Sequence, residues 1–226
     1  MQDPTHASPL AFSGVLVIVG GGMVDAHLLH QLHAKGAHLV GADGGGDVIA
    51  EAGLVPEAII GDLDSLADPE GWPLATKVIR IAEQLTTDFQ KVLYSTKARV
   101  TVAVGMTGKR FDHTLAALSA VTAVAKTRKV ILVDEFDIAL ALSGPFSFAV
   151  KAGERVSIHP LMPIDFATSS GLLYPLEGLH MAPGALIGTS NAATEGPVEI
   201  VPRDDTPWLL ILEKTHLWTL IAALEA

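Results

Sequence analysis

The chain has no cysteine among its 226 residues, which removes a disulfide framework and any thiolate metal site. It also lacks a basic excess. Lysine and arginine number 15 against 25 acidic residues, a net charge of −10, so nothing supplies the positive stripe of a nucleic-acid surface. That acidity leaves a nucleotide substrate open, because phosphates approach carboxylates through a bridging cation and need few basic groups nearby. No apolar run free of charge, glycine and proline reaches the length of a membrane span. Met1-Gln2-Asp3-Pro4 do not open as a positively charged secretory leader. Internal repeats and low-complexity tracts are missing as well. These absences predict a cytoplasmic protein without nucleic-acid or membrane partners.

What is present is a chain that can fill an interior: 49% of residues are apolar and 18% are charged. Up to about Glu135, strand-like and helix-like stretches alternate. Strands are expected at residues 15–19, 38–42, 58–60, 77–81, 100–104 and 130–133. Helices are expected at 23–35, 47–52, 112–125 and from Thr87, where Gln90 three residues on completes a capping box. Such alternation predicts a mainly parallel sheet covered by helices. After Ser143-Gly144-Pro145 the rhythm changes to short runs at 146–150, 155–159, 171–174, 185–189, 198–201 and 208–212, separated by turn residues. These predict an all-β antiparallel sandwich. The expected organisation is therefore an α/β domain over residues 1–142 and a β-sandwich domain over 143–226.

The most informative segment is Gly61-Asp62-Leu63-Asp64-Ser65, which follows the apolar run Ala58-Ile59-Ile60. In extended backbone, residues two apart face the same way, so Asp62 and Asp64 would aim both carboxylates at one point. Crowded carboxylates repel unless a cation lies between them, and Mg²⁺ is commonly held by one or two of them. Taken alone, the segment reads equally as an ordinary acidic turn.

Other loops at strand ends carry compatible groups. Asp43-Gly44-Gly45-Gly46 offers a third carboxylate and backbone amides that can approach an anion, and Gly20-Gly21-Gly22 is a similar candidate. Asp88 and Lys91 are neighbours on one helix, so one could face a metal and the other a phosphate; a dipole-complementing Asp and a solvated Lys is the plainer alternative. Gly105-Met106-Thr107-Gly108-Lys109-Arg110 leaves a strand and enters a helix, a phosphate cradle in outline, with Arg110 as a planar fork. Asp112 and His113 follow; Asp112 reads also as an N-cap and His113 as a surface residue. The Gly-Lys-Ser/Thr ending of a Walker loop and the full dinucleotide fingerprint are both missing. His27, His30 and His33 share a helical stretch and read as surface residues, not metal ligands. Acidic groups, two cations and glycine loops at one sheet end suit metal-assisted transfer of a phosphate-containing group.

In order and spacing, Ala42-Asp43-Gly44-Gly45, Ile60-Gly61-Asp62-Leu63-Asp64-Ser65, Thr87-Asp88-Phe89-Gln90-Lys91 and Arg110-Phe111-Asp112-His113-Thr114-Leu115 resemble the thiamine pyrophosphokinase family. Gly171-Leu172-Leu173-Tyr174-Pro175-Leu176 and Gly188-Thr189-Ser190-Asn191 resemble that family's late motifs. The resemblance implies an ATP:thiamine diphosphotransferase, an α/β domain followed by a β-sandwich, and a homodimer with active sites at the subunit interface. It further implies a Mg²⁺ site of Asp43, Asp62, Asp64 and Asp88. Lys91 and Arg110 would contact ATP phosphates beside Gly44, Gly45 and Gly108, Asp112 would assist the phosphate or metal shell, and Ser190 and Asn191 would hold thiamine. Tyr174, Trp208 and Trp218 are candidate platforms for the cationic thiazolium.

Three positions depart from the family pattern: Lys109 replaces a glycine, Ala117 an asparagine, and Ala192 an acidic residue. The expected reaction is attack of the thiamine hydroxyethyl oxygen on the β-phosphorus of Mg-ATP, with Asp64 or Asp88 taking the proton. Two rivals stay open: the same chemistry on another primary alcohol such as a hydroxymethylpterin, and a non-catalytic sensor of thiamine compounds or nucleotide.

Overall fold

The computed structural model describes residues 8–225; Met1-Gln2-Asp3-Pro4 lie outside them. The chain divides into two compact units. The described residues up to Ala120, with Leu132–Glu135, form the first; Val121–Ile131 and the residues from Phe136 onward form the second.

The first unit contains β1 (Leu10–Ala11), β2 (Val15–Val19), α1 (Ala26–Ala34), β3 (His38–Ala42), α2 (Gly45–Glu51), β4 (Ala58–Gly61), β5 (Lys77–Arg80), α3 (Asp88–Ser95), β6 (Thr96–Lys97) and β7 (Val100–Val104). Helix α4 (Phe111–Val124) and strand β8 (Val130–Val133) carry the chain between the units. Strands β7, β2, β3, β4 and β5 run side by side in that order and in parallel, with Val17 opposite both Val102 and Leu39. Every residue of β4 and β7 is buried, and all of β2 and β3 except their first residues, as strands covered on both faces require.

Strand β2 has β3 on one side and β7 on the other, so the chain leaves β2 in one direction and later returns to its opposite flank. The carboxyl ends of such strands open a crevice, which is where ligands bind in sheets of this kind. Loops 20–22, 43–44, 62–65 and 105–110 all issue from that end.

Several boundaries shift for local reasons. Helix α1 starts at Ala26, because the Asp25 carboxylate caps it by accepting from the His27 and Leu28 amides; it buries Leu28, Leu29 and Leu32. His27, His30 and His33 are exposed, as expected. Helix α3 carries the expected capping box of Thr87 and Gln90. Helix α4 begins at Phe111, which places Asp112 inside its first turn and not at the N-cap. Between β4 and β5 the chain forms no helix.

The second unit contains β9 (Asp137–Leu142), β10 (Phe146–Phe148), β11 (Arg155–Pro160), β12 (Ile164–Ser170), β13 (His180–Met181), β14 (Gly188–Ala192), β15 (Val198–Pro202), β16 (Trp208–Glu213) and the terminal helix α5 (Leu217–Glu225). Two antiparallel sets, β14-β11-β16-β9 and β10-β15-β12-β13, make a separate β domain. Phe166 of β12 meets Trp208 of β16 edge-on with centroids 6.2 Å apart, so side chains of the two sets share one core. The expected strand at 171–174 is only an isolated bridge, Leu172 to Ala193, and the one at 185–189 lies three residues later. Among the described residues no helix is long and apolar enough to cross a membrane.

Candidate active site

Asp43, at the end of β3, adopts φ 47°, a left-handed conformation uncommon for a residue with a side chain. It is buried, and its Oδ2 accepts from the Ser65 amide at 3.1 Å. Its Oδ1 is buried without a hydrogen-bond partner. Burial pushes this carboxyl above its ordinary value, and the charges of Asp88 and Asp62 push the same way against the Ser65 bond. The neighbouring glycines let backbone pack where no side chain fits. A Cβ on Gly45 would stand 1.8 Å from the Val19 carbonyl oxygen, and one on Gly61 2.7 Å from the Asp43 Cβ.

Asp62 and Asp64 do converge, although not through extended backbone. Leu63 between them has φ 67°, so the chain turns sharply just past β4. The Asp64 amide donates to Asp62 Oδ1 at 3.3 Å, and the Ser65 hydroxyl donates to Asp64 Oδ1 at 3.0 Å. One carboxylate oxygen from each of Asp43, Asp62 and Asp64 lies within 4.8 Å of the others. Gln84 donates to Asp62 Oδ2 at 2.8 Å and leads the effects that hold this carboxyl below its ordinary value, with Lys91 among the rest.

Asp88 stands beside this trio without joining it. Its Oδ1 accepts from the Asp62 amide at 3.3 Å and from Lys91 Nζ at 3.0 Å. Lys91 also lies 3.7 Å from Asp62 Oδ2 and is 1% exposed. Burial alone would lower the lysine's pKa, but Asp88, Asp62 and Glu83 together hold it above the ordinary value. The solvated-lysine alternative therefore fails, and the ammonium is occupied by carboxylates.

The pocket that Asp43 and Asp88 border is walled also by Gly20-Gly21-Gly22, Gly105, Met106, Lys109 and Arg110. Gly22 has no room for a side chain, since its Cβ would lie 2.3 Å from the Gly105 carbonyl oxygen. Gly105 and Gly108 have φ 71° and 86°, which lets the loop double back. Arg110 grips Asp112 by two hydrogen bonds, 3.1 Å from Nε and 2.6 Å from a terminal nitrogen, and this partner lowers the Asp112 pKa. Lys109 Nζ donates to the Gly21 carbonyl at 2.9 Å. Ala117, buried, also lines the pocket.

Ser190 and Asn191 belong to β14 in the second unit. Ser190 has φ 60° and gives its amide to Ser157 Oγ, leaving its side chain exposed. Asn191 is buried and spends its amide on backbone. It accepts from the Tyr174 and Ala192 amides at 3.0 and 2.9 Å and donates to the Tyr174 carbonyl at 2.7 Å. Tyr174 itself is 65% exposed, whereas Trp208 is fully enclosed, with its indole N–H on the Gly144 carbonyl, and is no platform for a ligand. Sequence reasoning missed Gln84 and gave Ser65 no role; each is a polar residue in a loop at the same sheet end, which is the signal they offered.

Three clustered carboxylates, one with a buried oxygen lacking a partner, fit a hard divalent cation: all donors are oxygens, and a cation would satisfy Asp43 Oδ1 and relieve the mutual repulsion.

Residues 29–133 match the sequence family described as thiamin pyrophosphokinase, catalytic domain, and residues 147–205 match thiamin pyrophosphokinase, vitamin B1 binding domain. Thiamine pyrophosphokinase 1 of Arabidopsis thaliana is 31% identical over 188 residues, 72% of this chain and 67% of that protein. Thiamin pyrophosphokinase 1 of Caenorhabditis elegans is 30% identical over 186 residues, 74% of this chain and 76% of its own length. The crystal structure of thiamin pyrophosphokinase from Geobacillus thermodenitrificans has the same fold, with a TM-score of 0.72, 23% identity, and coverage of 88% of this chain and 97% of that one. The yeast enzyme's structure gives 0.73, 14% identity, and coverage of 98% and 96%.

Proposed function

The chain belongs to the thiamine pyrophosphokinase family, and we propose that it moves a pyrophosphoryl group from Mg-ATP to the hydroxyethyl oxygen of thiamine, releasing AMP. It is an enzyme of thiamine diphosphate synthesis by pyrophosphoryl transfer; the donor, metal and acceptor atom are our reading. The observation that carries this reading is the trio Asp43, Asp62 and Asp64 with its partnerless Asp43 oxygen, joined through Asp43 to the lining of a pocket walled by glycine loops.

Asp43, Asp62 and Asp64 would hold Mg²⁺, and Asp88 would border them. The ion's contribution when bound is neutralisation of charge on the transferring phosphates. The remaining steps belong to the protein. Gly20–Gly22 and Gly105–Gly108 bring backbone close to the nucleotide, and Arg110, oriented by Asp112, lies at the phosphate side. Lys91 keeps Asp62 and Asp88 in place from below. Both candidate bases are engaged, Asp88 by Lys91 and the Asp62 amide and Asp64 by the Ser65 hydroxyl, and of the two Asp64 is the more exposed. Alignment and electrostatics then supply most of the acceleration. Ser190 is proposed to meet thiamine directly, with Asn191 acting through the Tyr174 segment it fixes. We also propose a homodimer, supported by Leu173, Tyr174, Leu186 and Ile187, all exposed in the second unit.

The test is AMP formation from Mg-ATP with and without thiamine, beside Asp62→Asn. Thiamine-dependent AMP that the substitution reduces by orders of magnitude is expected. AMP released only with another primary alcohol overturns the acceptor, and ligand binding without AMP from any alcohol overturns the reaction.

A further inference from the structure

Among the described residues, the lysine and arginine side chains lining the pocket are Lys109 and Arg110. They are held very differently. Arg110 is engaged by Asp112 through two charge-assisted hydrogen bonds in an exposed pair, so its charge is shared with a carboxylate before any ligand arrives. Lys109 is exposed, and its ammonium rests on a neutral acceptor, the Gly21 carbonyl. Lys91, the third cation nearby, is buried against Asp88 and Asp62 and is not part of the lining.

A polyphosphate entering this pocket meets the carboxylates of Asp43 and Asp88 in its wall. Lys91 has its charge offset by two carboxylates, and Arg110 shares its charge with Asp112. Lys109 can turn to a phosphate oxygen at the loss of one bond to a carbonyl, exchanging a bond charged at the donor alone for one charged at both ends. Gly21 sits between two glycines pressed against the Gly105 carbonyl oxygen, at 2.7 Å from a Cβ on Gly20 and 2.3 Å from one on Gly22. Its carbonyl is therefore on a segment held at the pocket wall, and the ammonium it anchors is held there too.

We propose that Lys109 adds its own grip on the nucleotide polyphosphate to that of Arg110, exchanging its bond to the Gly21 carbonyl for one to a phosphate oxygen and so favouring nucleoside polyphosphates over the bare nucleoside. The proposal rests on the nucleotide-pocket reading above and is independent of the alcohol acceptor. Lys109 is then a substrate-binding residue that selects on phosphate charge.

The test is calorimetric titration of the full chain with ATP in the presence of Mg²⁺ and, separately, with adenosine, for the wild type, Lys109→Met and Lys109→Arg. Lys109→Met is expected to weaken ATP about tenfold, the scale of one charge-assisted contact. Adenosine should be unaffected, and Lys109→Arg should recover most of the loss. Melting temperatures confirm that each variant is folded. Unchanged ATP affinity in Lys109→Met overturns the proposal, and equal weakening of ATP and adenosine overturns it in favour of a loop-shaping role. A wild type that binds neither ligand overturns the pocket reading and this proposal with it. Wild-type ATP binding that is indifferent to Lys109 overturns the proposal alone.

Discussion

Replacing Lys91 by methionine keeps the length and apolar stem of the side chain and removes one charge. The ammonium lies 3.0 Å from Asp88 Oδ1 and 3.7 Å from Asp62 Oδ2. At an effective dielectric of about 20, each pair is worth roughly 5 kcal/mol in Coulomb terms. Taking the lysine out of water offsets several kcal/mol of that, and Asp88, with a side chain 32% exposed, keeps partial access to solvent. After the change, Asp43, Asp62, Asp64 and Asp88 crowd one another with no buried cation beneath them. The net loss should be about 2–3 kcal/mol at neutral pH in metal-free buffer, less than the ~3–5 of a fully enclosed pair. For a chain of this size that corresponds to a fall in melting temperature of about 4–12 °C. Thermal melting by circular dichroism reads the shift. A double-mutant cycle with Asp88→Asn locates it, because removing the stranded carboxylate should recover part of what Lys91→Met loses. A melting temperature within about 2 °C of the wild type would refute the assignment of Lys91 as the buried counter-ion.

Asp43→Asn should act in the opposite direction on stability. Burial holds the folded Asp43 pKa above its ordinary 3.8, so its stabilising contribution is full below 3.8 and lost as pH rises through the folded value. At neutral pH in metal-free buffer the variant should therefore be the more stable, the gap closing in acid, with Mg²⁺ no longer raising its melting temperature. A less stable variant at pH 7 would contradict this. Glu83 presents the converse case. The Thr86 hydroxyl, with backbone amides and the Tyr94 hydroxyl, lowers its pKa below 4.5. Its contribution is present above 4.5 and lost as pH falls through the lower folded value, so Glu83→Gln should be less stable than the wild type at neutral pH and converge with it in acid; parallel melting curves across that window would argue against it. Asn191→Ala should cost about 2–3 kcal/mol by stripping three backbone groups of their partner, measurable as a lower denaturant midpoint; an unchanged midpoint would show the side chain to be dispensable to the fold.

Much of the fold could be read from residue patterns. The mainly apolar runs 15–19, 38–42 and 100–104 became central parallel strands, because strands covered on both faces carry near-continuous apolarity. Thr87 and Gln90 announced their helix because a capping box is local chemistry. The second unit was less legible. Strand β9 went unread because it follows β8 closely, and β12 because polar Thr168, Ser169 and Ser170 mask its alternation. Helix α5 carries no flanking signal in its composition.

The sequence alone determined which groups were available: the acidic pair in one motif, a third carboxylate after β3, glycines at strand ends, and the absence of thiolates. These follow from residue identity and short spacing. Tertiary structure decided how they combine. Leu63 and Asp43 take left-handed backbone that spacing does not foretell, and this, with Ser65 and Gln84 as holders, draws three carboxylates together. It also buried Lys91 beneath the carboxylates, paired Arg110 with Asp112, and set Lys109 on a carbonyl 88 residues away in sequence. The physical reason is that a charge is defined by its surroundings, and those surroundings come from loops that only the sheet brings side by side.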